Sequence, residues 1–327
     1  MASTFEDIAR AVETLRSGGV VAFPTETVYG LGADAMNAAA VERVYALKGR
    51  PRINPLIVHV SGPEMASRVV APGAWTTDAA ALARAFWPGP LSIVLPRHER
   101  VPDLVTAGAS TVAVRCPDHS VALALLFDFG APLVGPSANL SGQVSPTTAE
   151  HVRASFAAED VPVLEGGACR GGIESTVVLL AGETPRVLRP GLISAEQIAE
   201  VIGREVLNGA GAVTPAGEPL ASPGLLARHY APGTPARLLA RRELIGALEA
   251  LPTERTCAVI SHTLLSIPGP HRLFILPDDA EGYAARLYAM LREADAARVA
   301  ELFIERPESD GPVWAAIRDR LVRATTP

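Results

Sequence analysis

This sequence of 327 residues has few cysteines, no long apolar run and no excess of positive charge. Its three cysteines, Cys116, Cys169 and Cys257, lie far apart and form no C-x-x-C motif, which argues against a disulfide framework and against a zinc site. No stretch of about 18 apolar residues occurs, so we expect no membrane-spanning helix. The formal net charge of −6 argues against an extended basic surface for DNA or RNA, but it leaves room for a local cationic pocket.

Several well-known catalytic and phosphate-binding signatures are also missing. The sequence contains neither G-x-x-x-x-G-K-[ST] nor G-x-G-x-x-G, which excludes a P-loop and a dinucleotide-binding fingerprint. No Ser-His-Asp or Cys-His signature occurs, so covalent acyl transfer is disfavoured. No carboxylate cluster has metal-ligand spacing, and we expect no metal held by protein side chains. The start, MASTFEDIAR, lacks the apolar region of a secretory signal, so we expect a reducing, cytoplasmic location.

The length and the hydrophobic pattern predict an α/β protein of two domains. Residues 1–202 are predicted to form an N-terminal domain in which helices pack on a twisted mixed sheet, because strand-like runs outnumber those of a simple βαβ alternation. Ser3 and Glu6 have the spacing of a capping box at the start of its first helix. Residues 203–236, rich in Gly, Pro and Ala, are predicted to be a linker. Residues 237–327 alternate strands and helices, which predicts a small Rossmann-like domain with a parallel sheet.

A turn rich in cations and prolines follows a predicted helix over 38–47. The stretch LKGRPRINPLIVHV carries Lys48, Arg50 and Arg52, and its prolines fix φ and reduce the entropy lost on ordering the turn. A solvated surface turn and an anion site both fit this pattern. His59 lies on the strand that follows, where it is either a core histidine with satisfied hydrogen bonds or a ligand contact.

Glycines and hydroxyl groups follow another predicted strand, which ends at Pro24. The stretch FPTETVYGLGADA places threonines beside Gly30 and Gly32, and the two glycines predict a sharp turn with close approach of another group to the backbone. Such a stretch is typical of the mouth of a ligand site. A plain strand-to-helix turn is the alternative.

Polar groups also accompany the later strands. Arg115 ends a predicted strand, as either a surface cap or a clamp for a carboxylate. The loop 134–148 offers hydroxyls, an amide and backbone N–H groups, as nucleotide pockets do, and 171–180 combines glycines and hydroxyls in the same way. Arg189 precedes a Pro-Gly turn. Hydroxyl loops and cations in this combination suit the positioning and neutralisation of a polyphosphate.

Taken in order, these stretches resemble one family, the YrdC-type threonylcarbamoyl-adenylate synthases. The resemblance covers about residues 18–195 and rests on PTETVYGLG, KGRP…NPL, FWPGPLS, VAVRCP, GPSANLSG, ESTVV and LRPG. A further stretch, SPGLLARHYAP (222–232), resembles the linker of the family's long form. The resemblance implies that ATP, L-threonine and bicarbonate react to threonylcarbamoyl-AMP and pyrophosphate. The product feeds the threonylcarbamoyl modification of adenosine beside the tRNA anticodon.

The resemblance also implies a role for each matching residue. For L-threonine it implies Thr27, His59, Arg115, Ser175 and the backbone of Gly135, with Arg115 clamping the carboxylate. For ATP it implies Arg50, Asn54, Thr111, Ser137, Asn139, Ser145, Arg189 and Tyr230. Lys48 and Arg50 are implied as the catalytic cations that offset developing charge, and we expect both on a surface turn around the pocket. Mg²⁺ is expected to arrive with ATP rather than in a protein cage.

The linker and the partners complete these expectations. Because a free tether has no use for Arg228, His229 and Tyr230, we expect 222–232 to fold over the filled site with Tyr230 near the triphosphate. The resemblance implies tRNA or tRNA-modification proteins as partners, and no DNA or membrane. Two alternatives remain open: an RNA-binding module without catalysis, and carbamoyl-adenylate chemistry on another acceptor.

Overall fold

The computed structural model describes residues 3–209, 224, 226–252, 255–264, 266–267 and 269–327. Its helices are α1 (Phe5–Arg16), α2 (Ala38–Lys48), α3 (Pro63–Ala66), α4 (Thr77–Phe86), α5 (Asp103–Thr106), α6 (Ser120–Phe129), α7 (Ala149–Ser155), α8 (Ala195–Ile202), α9 (Arg241–Glu249), α10 (Ala280–Asp295) and α11 (Pro312–Thr325). Its strands are β1 (Val21–Phe23), β2 (Gly30–Asp34), β3 (Ile57–His59), β4 (Leu91–Pro96), β5 (Thr111–Arg115), β6 (Leu133–Val134), β7 (Thr176–Leu179), β8 (Arg186–Arg189), β9 (Leu207–Asn208), β10 (Ala236–Leu239), β11 (Cys257–Ser261), β12 (Arg272–Ile275) and β13 (Glu301–Glu305).

Two sheets organise these elements. Within the described residues, nine strands form a mixed sheet in the order β1-β2-β6-β3-β5-β4-β7-β8-β9. The other sheet is parallel and has the order β10-β13-β11-β12. We call α1 to β9 the N-terminal unit and β10 to α11 the C-terminal unit.

The predicted fold class, a mixed-sheet α/β domain followed by a small domain with a parallel sheet, is confirmed. The mixed sheet reaches Asn208 through the β8–β9 pair, so it includes part of the range predicted as linker.

Strand register brings polar residues from distant parts of the sequence together. Strands β3 and β5 are parallel neighbours, and their register sets His59 beside Arg115. Strands β7 and β8 are antiparallel, so the start of one lies at the end of the other. Ser175, which directly precedes β7, therefore lies next to Arg189 at the end of β8.

The glycines near the first strand serve a purpose different from the predicted one. Gly30 and Gly32 lie in β2, which pairs antiparallel with β1, and they do not form the sharp turn that we predicted. A Cβ atom at Gly30 would stand 2.9 Å from the Phe23 ring, and one at Gly32 would stand 3.0 Å from it. The glycines leave room for this ring, which is fully buried in the core.

The capping box of α1 is shifted by one residue from its predicted position. Thr4 Oγ1 accepts a hydrogen bond from the backbone N–H of Asp7 at 3.3 Å, and the Thr4 backbone N–H donates to the Asp7 carboxylate at 2.9 Å. Ser3 instead exchanges hydrogen bonds with Glu165: its backbone N–H donates to the Glu165 carbonyl, and its Oγ accepts from the Glu165 N–H. The Ser3–Glu6 prediction was therefore wrong in register, although the helix itself forms.

The C-terminal unit packs directly on the N-terminal unit. Helices α10 and α11 cover one face of the parallel sheet, and α9 covers the other. Val28, Val144 and Ile173 of the N-terminal unit belong to the same buried apolar cluster as α10 and α11. The contact between the units is therefore part of the core. In the described parts of the chain, no helix is long and apolar enough to cross a membrane.

Candidate active site

A cavity lies at the junction of the two units, and we call it the central cavity. It lies against the ends of β3, β5 and β8, the loop after β6 and the residues before β7. It is lined by Val28, Arg50, Ile57, His59, Arg115, Gly135, Pro136, Ser137, Glu174, Arg189, Gly224, His229 and Tyr230. Many of the predicted site residues thus meet in one place, although they span most of the N-terminal unit.

Two buried arginines form the cationic wall of the central cavity. Arg50 donates hydrogen bonds to the carbonyls of Asn54 (3.1 Å) and Pro55 (2.7 Å) and to the Asn54 side-chain oxygen (2.7 Å). Arg189 donates to the Ser175 carbonyl from two nitrogens, at 3.1 and 2.9 Å. Burial lowers the pKa of Arg50 to about 10, so the guanidinium stays charged at neutral pH. Fixed charges of this kind can neutralise a polyphosphate without rearranging.

Lys48 is buried and supports the wall from behind. Its Nζ donates to the carbonyls of Ser137 and Asn139, both at 2.5 Å, and its side chain does not line the central cavity. Burial, aided by the charge of Arg50, holds the pKa of Lys48 well below its usual value. The expectation that Lys48 and Arg50 lie on a surface turn was wrong, since they are only 2% and 8% exposed. The solvated cation of this turn is Arg52, which pairs with Glu42.

Arg115 forms a buried ion pair with Glu26. Arg115 Nη2 lies 2.7 Å from Glu26 Oε2, and both side chains are at most 5% exposed. Arg115 Nε also donates to the Gly89 carbonyl at 3.2 Å. Apart from this ion pair, Arg115 Nη2 has no hydrogen-bond partner among the described residues, and Glu26 Oε1 has none there. The surface-cap interpretation of Arg115 is therefore wrong, and the guanidinium keeps a donor for a carboxylate in the cavity.

His59 is buried against Gly135 and Phe23. Its ring meets the Phe23 ring edge-on, with centroids 5.4 Å apart, and its Nδ1 has no hydrogen-bond partner in the described residues. Burial and the neighbouring Arg115 hold the pKa of His59 well below its usual range, so the ring is neutral. A Cβ atom on Gly135 would stand 2.5 Å from His59 Nδ1. His59 is therefore not the core histidine with satisfied hydrogen bonds that was one alternative.

Replacing Gly135 by alanine is expected to displace His59 and weaken the binding of an amino-acid substrate. No real Cβ contact is as short as 2.5 Å, so the ring must move. We expect at least a tenfold loss of threonine affinity by calorimetric titration, with a lower Tm, because overpacking costs about 1–3 kcal/mol. Gly62→Ala is the matched control, since a Cβ atom there meets nothing within 4 Å. Unchanged affinity in Gly135→Ala would show that His59 is not part of the binding surface.

A segment between the two units covers the central cavity. Tyr230 is fully buried and stacks on Tyr288 of α10, with ring centroids 5.5 Å apart. The backbone N–H of His229 donates to the Arg323 carbonyl of α11 at 3.1 Å, and that of Ala231 donates to the Gly142 carbonyl at 2.8 Å. Gly224, His229 and Tyr230 line the cavity, and the folding of 222–232 over a filled site stays a prediction. Residues 222, 223 and 225 lie outside the described residues.

A second opening, the outer cleft, lies on the other side of this segment. It has a volume of about 390 Å³ and is lined by Ser141, Gly142, Gln143, Val144, Arg228, Ala231, Pro232, Gly233, Arg292 and Asp295. Arg292 of α10 donates to the Val144 carbonyl, and Asp295 accepts from the backbone N–H groups of Gly233 and Thr234. Both units therefore shape this cleft.

Two family models match the chain. One, described as Telomere recombination, matches residues 13–191, and the other, Threonylcarbamoyl-AMP synthase, C-terminal domain, matches residues 193–326. The threonylcarbamoyl-AMP synthase of Bacillus subtilis is 40% identical over 97% of this chain and 92% of its own. That of Pyrococcus abyssi is 38% identical over 95% and 92%.

The chain belongs to the threonylcarbamoyl-AMP synthase family. It superposes on the solved structure of P. abyssi Sua5 complexed with L-threonine with a TM-score of 0.87 at 37% identity, covering 97% of this chain and 94% of that one. It is thus an ATP-using enzyme of the nucleotidyltransferase type, in the long form with two domains. The family and the activity predicted from the sequence are confirmed.

In this threonylcarbamoyl-AMP synthase, some predicted site residues lie behind the cavity wall and do not line the cavity. Ser175 Oγ accepts from Arg189 at 3.1 Å and lies 2.8 Å from Ser92 Oγ. The Thr27 hydroxyl lies 2.9 Å from that of Thr25. Ser175 therefore helps to orient Arg189, which lines the cavity.

Three further predicted residues differ in how they relate to the cavity. The Asn139 amide donates to the carbonyls of Leu140 and Gln143 and so closes its own loop. Asn54 receives the guanidinium of Arg50. Thr111 lies at the other end of β5 from Arg115, roughly 13 Å away along the strand, and does not line the central cavity.

Sequence reasoning missed four residues of the synthase site. Glu26 and Glu174 each lie inside a motif that was singled out, but an acidic side chain gives no sign of its partner. Tyr288 and Arg320 belong to the C-terminal unit, where no motif was available. Tyr288 and Arg320 both donate to the Glu174 carboxylate, at 2.8 and 3.0 Å. A charged residue in the apolar face of α11 was the one signal that could have indicated Arg320.

Proposed function

We propose that the central cavity of this synthase binds L-threonine and the triphosphate of ATP side by side. The observation that carries the proposal is the convergence of Arg50, Arg115 and Arg189 on one buried cavity. Arg115 is set apart from the other two by its Glu26 partner. One carboxylate and one polyphosphate therefore have separate cationic partners.

The threonine half is proposed to be built around Arg115. Its Nη2 would bind the substrate carboxylate, and His59 and the Gly135 backbone would form the adjoining wall. A neutral His59 adds no further positive charge beside the substrate amine, which must be uncharged to react. Thr27 and Ser175 are proposed to complete this half, as the resemblance implies.

The nucleotide half is proposed to use Arg50, Arg189, Ser137 and Tyr230 on the triphosphate. The supporting shell would be Lys48, Asn54, Asn139 and Ser145, which hold the wall or its loop. The outer cleft, about 390 Å³, is within the range of small-molecule sites and is our proposed place for the nucleoside. The contact of Thr111 with ATP stays a prediction of the resemblance.

The proposed reaction needs no covalent enzyme intermediate. The uncharged threonine amine adds to CO2, derived from bicarbonate, and loses a proton to water, which gives an N-carboxylate. An oxygen of that carboxylate attacks the α-phosphorus of ATP, the bond between the α-phosphorus and the bridging oxygen breaks, and pyrophosphate leaves with the electron pair. Arg50 and Arg189 stabilise the charge that develops on the phosphates, because both guanidinium groups are already oriented by carbonyl groups.

Mg²⁺ is proposed to enter with ATP. Within the described parts of the chain, no group of three or more His, Cys, Asp or Glu side chains could hold a metal ion. The nearest carboxylate, Glu174, already accepts three hydrogen bonds. Phosphate oxygens are thus the natural ligands, and Mg²⁺ would neutralise part of their charge.

The proposed function is tested by incubating the purified protein with ATP, bicarbonate and each amino acid in turn. We expect pyrophosphate release and a threonylcarbamoyl-AMP mass with L-threonine alone, in the absence of RNA. Release without any amino-acid product, or with another acceptor, would point to carbamoyl-adenylate chemistry on a different substrate. No release, together with RNA binding, would favour the RNA-binding module. Adding tRNA and the modification proteins tests the proposed downstream partners.

Ligands are expected to slow hydrogen exchange in the segment 226–232. The central cavity holds about 40 Å³, room for only a few water molecules, so the segment has to move before threonine and a triphosphate can enter. Once they are bound, contacts with Tyr230 favour the covered state. We expect the amides of His229 and Ala231 to exchange several-fold more slowly with ATP and threonine than without. Equal exchange rates with and without ligands would mean that the segment only connects the two units. Helix α6, whose residues line neither cavity, is the internal control.

A further inference from the structure

Glu174 occupies an unusual position for a site that binds polyphosphate. Its carboxylate lines the central cavity, is 7% exposed and would repel the phosphates if its charge were not balanced. Ser145 Oγ donates to Oε1 at 2.7 Å, and Tyr288 OH and Arg320 Nε donate to Oε2 at 2.8 and 3.0 Å. Two of these three donors come from the C-terminal unit.

The balancing charge comes chiefly from Arg320. Burial by itself would raise the pKa of Glu174, but the charges of Arg320 and Arg189 and the Ser145 hydrogen bond outweigh it and lower the pKa to about 2. Arg320 is completely buried and lies in α11, opposite the cavity wall. It is also paired with Asp319, at 2.7 Å. Removing Arg320 would take away the largest of the charges that offset the burial of the Glu174 carboxylate.

Arg320 also touches two further parts of the proposed nucleotide half. Its Nη2 donates to the Pro190 carbonyl at 2.9 Å, directly after Arg189. Its guanidinium lies 5.5 Å from the centroid of the Tyr230 ring, which also stacks on the Tyr288 ring. One side chain of the C-terminal unit therefore contacts the β8 turn, the covering segment and Glu174, although it does not line the cavity itself.

We propose that Arg320 is a positioning residue for the nucleotide: it neutralises Glu174 and fixes the Tyr230 ring and the turn after Arg189, so that the C-terminal unit completes the ATP site. This inference rests on the proposed function. It assigns the C-terminal unit an electrostatic task in ATP binding, beyond holding the covering segment in reach. Arg320 acts through its neighbours and contacts no substrate.

The test compares Arg320→Met with the double variant Glu174→Gln/Arg320→Met. In the single variant the unbalanced carboxylate should raise KM for ATP by about 10–100-fold, with a change in kcat of less than about threefold. In the double variant neither residue 174 nor residue 320 is charged, and the KM for ATP should return to within about tenfold of the wild-type value. Arg318→Met is the matched control, because Arg318 lies in the same helix and donates to the Ser309 carbonyl within the C-terminal unit.

The outcomes separate positioning from mere attachment of the two units. If the double variant binds ATP no better than Arg320→Met, with both proteins folded by near-UV circular dichroism, the pair only holds the units together and the inference is overturned. If Arg320→Met does not fold, Tyr288→Phe decides, because it removes one hydrogen bond to Glu174 and keeps the ring on Tyr230. We expect KM for ATP to rise about 3–10-fold in Tyr288→Phe, and an unchanged KM would reject the proposal. Failure of the proposed function is recognised separately, by a wild-type protein that shows no turnover.

Discussion

Replacing Arg50 by methionine is expected to lower kcat by about 100–1000-fold per folded molecule, the loss typical of removing one preoriented charge from a transition state. Arg50 lines the central cavity, stays protonated with a pKa of about 10 and is held by Asn54 and Pro55. Because the Asn54 side-chain oxygen and the Pro55 carbonyl lose the Arg50 donor, we also expect a lower Tm. Pyrophosphate release, normalised to the folded fraction, is the measurement.

The neighbouring turn supplies a matched control. Arg52 lies two residues away, is 71% exposed and pairs with Glu42 at the surface. Arg52→Met removes the same charge from the same turn, and we expect kcat and KM within about twofold of wild type. Equal losses in Arg50→Met and Arg52→Met would mean that the turn acts through overall charge, and Arg50 would then have no special role.

Lys48 should respond differently from Arg50. Its ammonium group binds the carbonyls of Ser137 and Asn139 and does not reach the cavity. A methionine there would remove the Lys48 donor from both carbonyls; the Ser137 carbonyl keeps the Asn139 N–H, whereas the Asn139 carbonyl loses its Lys48 donor, at a cost of about 1–3 kcal/mol. The stability of the 137–139 loop and the turnover should therefore fall together in Lys48→Met.

Removing Arg115 is expected to weaken threonine binding by about 10–150-fold, the range for a hydrogen bond between charged groups. Arg115→Met also leaves Glu26 buried without its cation, and breaking such a pair costs about 3–5 kcal/mol of stability. The two effects are separable. In Glu26→Gln/Arg115→Met the unpaired charge is gone, so stability should recover while threonine affinity stays low. Calorimetric titration with threonine and thermal melts measure the two quantities independently.

Two controls make the Arg115 experiment decisive. Arg170→Met removes an exposed arginine that pairs with Asp118 at the surface, and it should leave threonine affinity unchanged. ATP affinity should change far less than threonine affinity in Arg115→Met. If the double variant recovers threonine binding along with stability, Arg115 supports the fold only and the substrate carboxylate binds elsewhere.

Local patterns in the sequence were sufficient for the elements and for the type of site. Apolar periodicity predicted the helix at 38–47 and the strands at 56–60 and 111–115, because the side chains of a helix and a strand repeat with different periods. Hydroxyl loops and arginines beside strand ends indicated a polyphosphate site, and the ordered set of motifs identified the family. These features are encoded within a few residues of chain, so the sequence can be read for them directly.

Tertiary structure alone decided which of these residues meet and which are buried. The sequence could not show that Gly30 and Gly32 make room for Phe23 in a hairpin. Nor could it show that Lys48 lies under the loop after β6 and that Arg50 is buried against Asn54 and Pro55. Glu26 finds Arg115 across 89 residues, and Glu174 finds Arg320 across 146. A carboxylate has no local signature of its partner, since an ion pair depends on distance and desolvation after the sheet and the two units have packed. For that reason the family and the chemistry follow from the sequence, whereas the pairing of charged side chains in the site follows only from the fold.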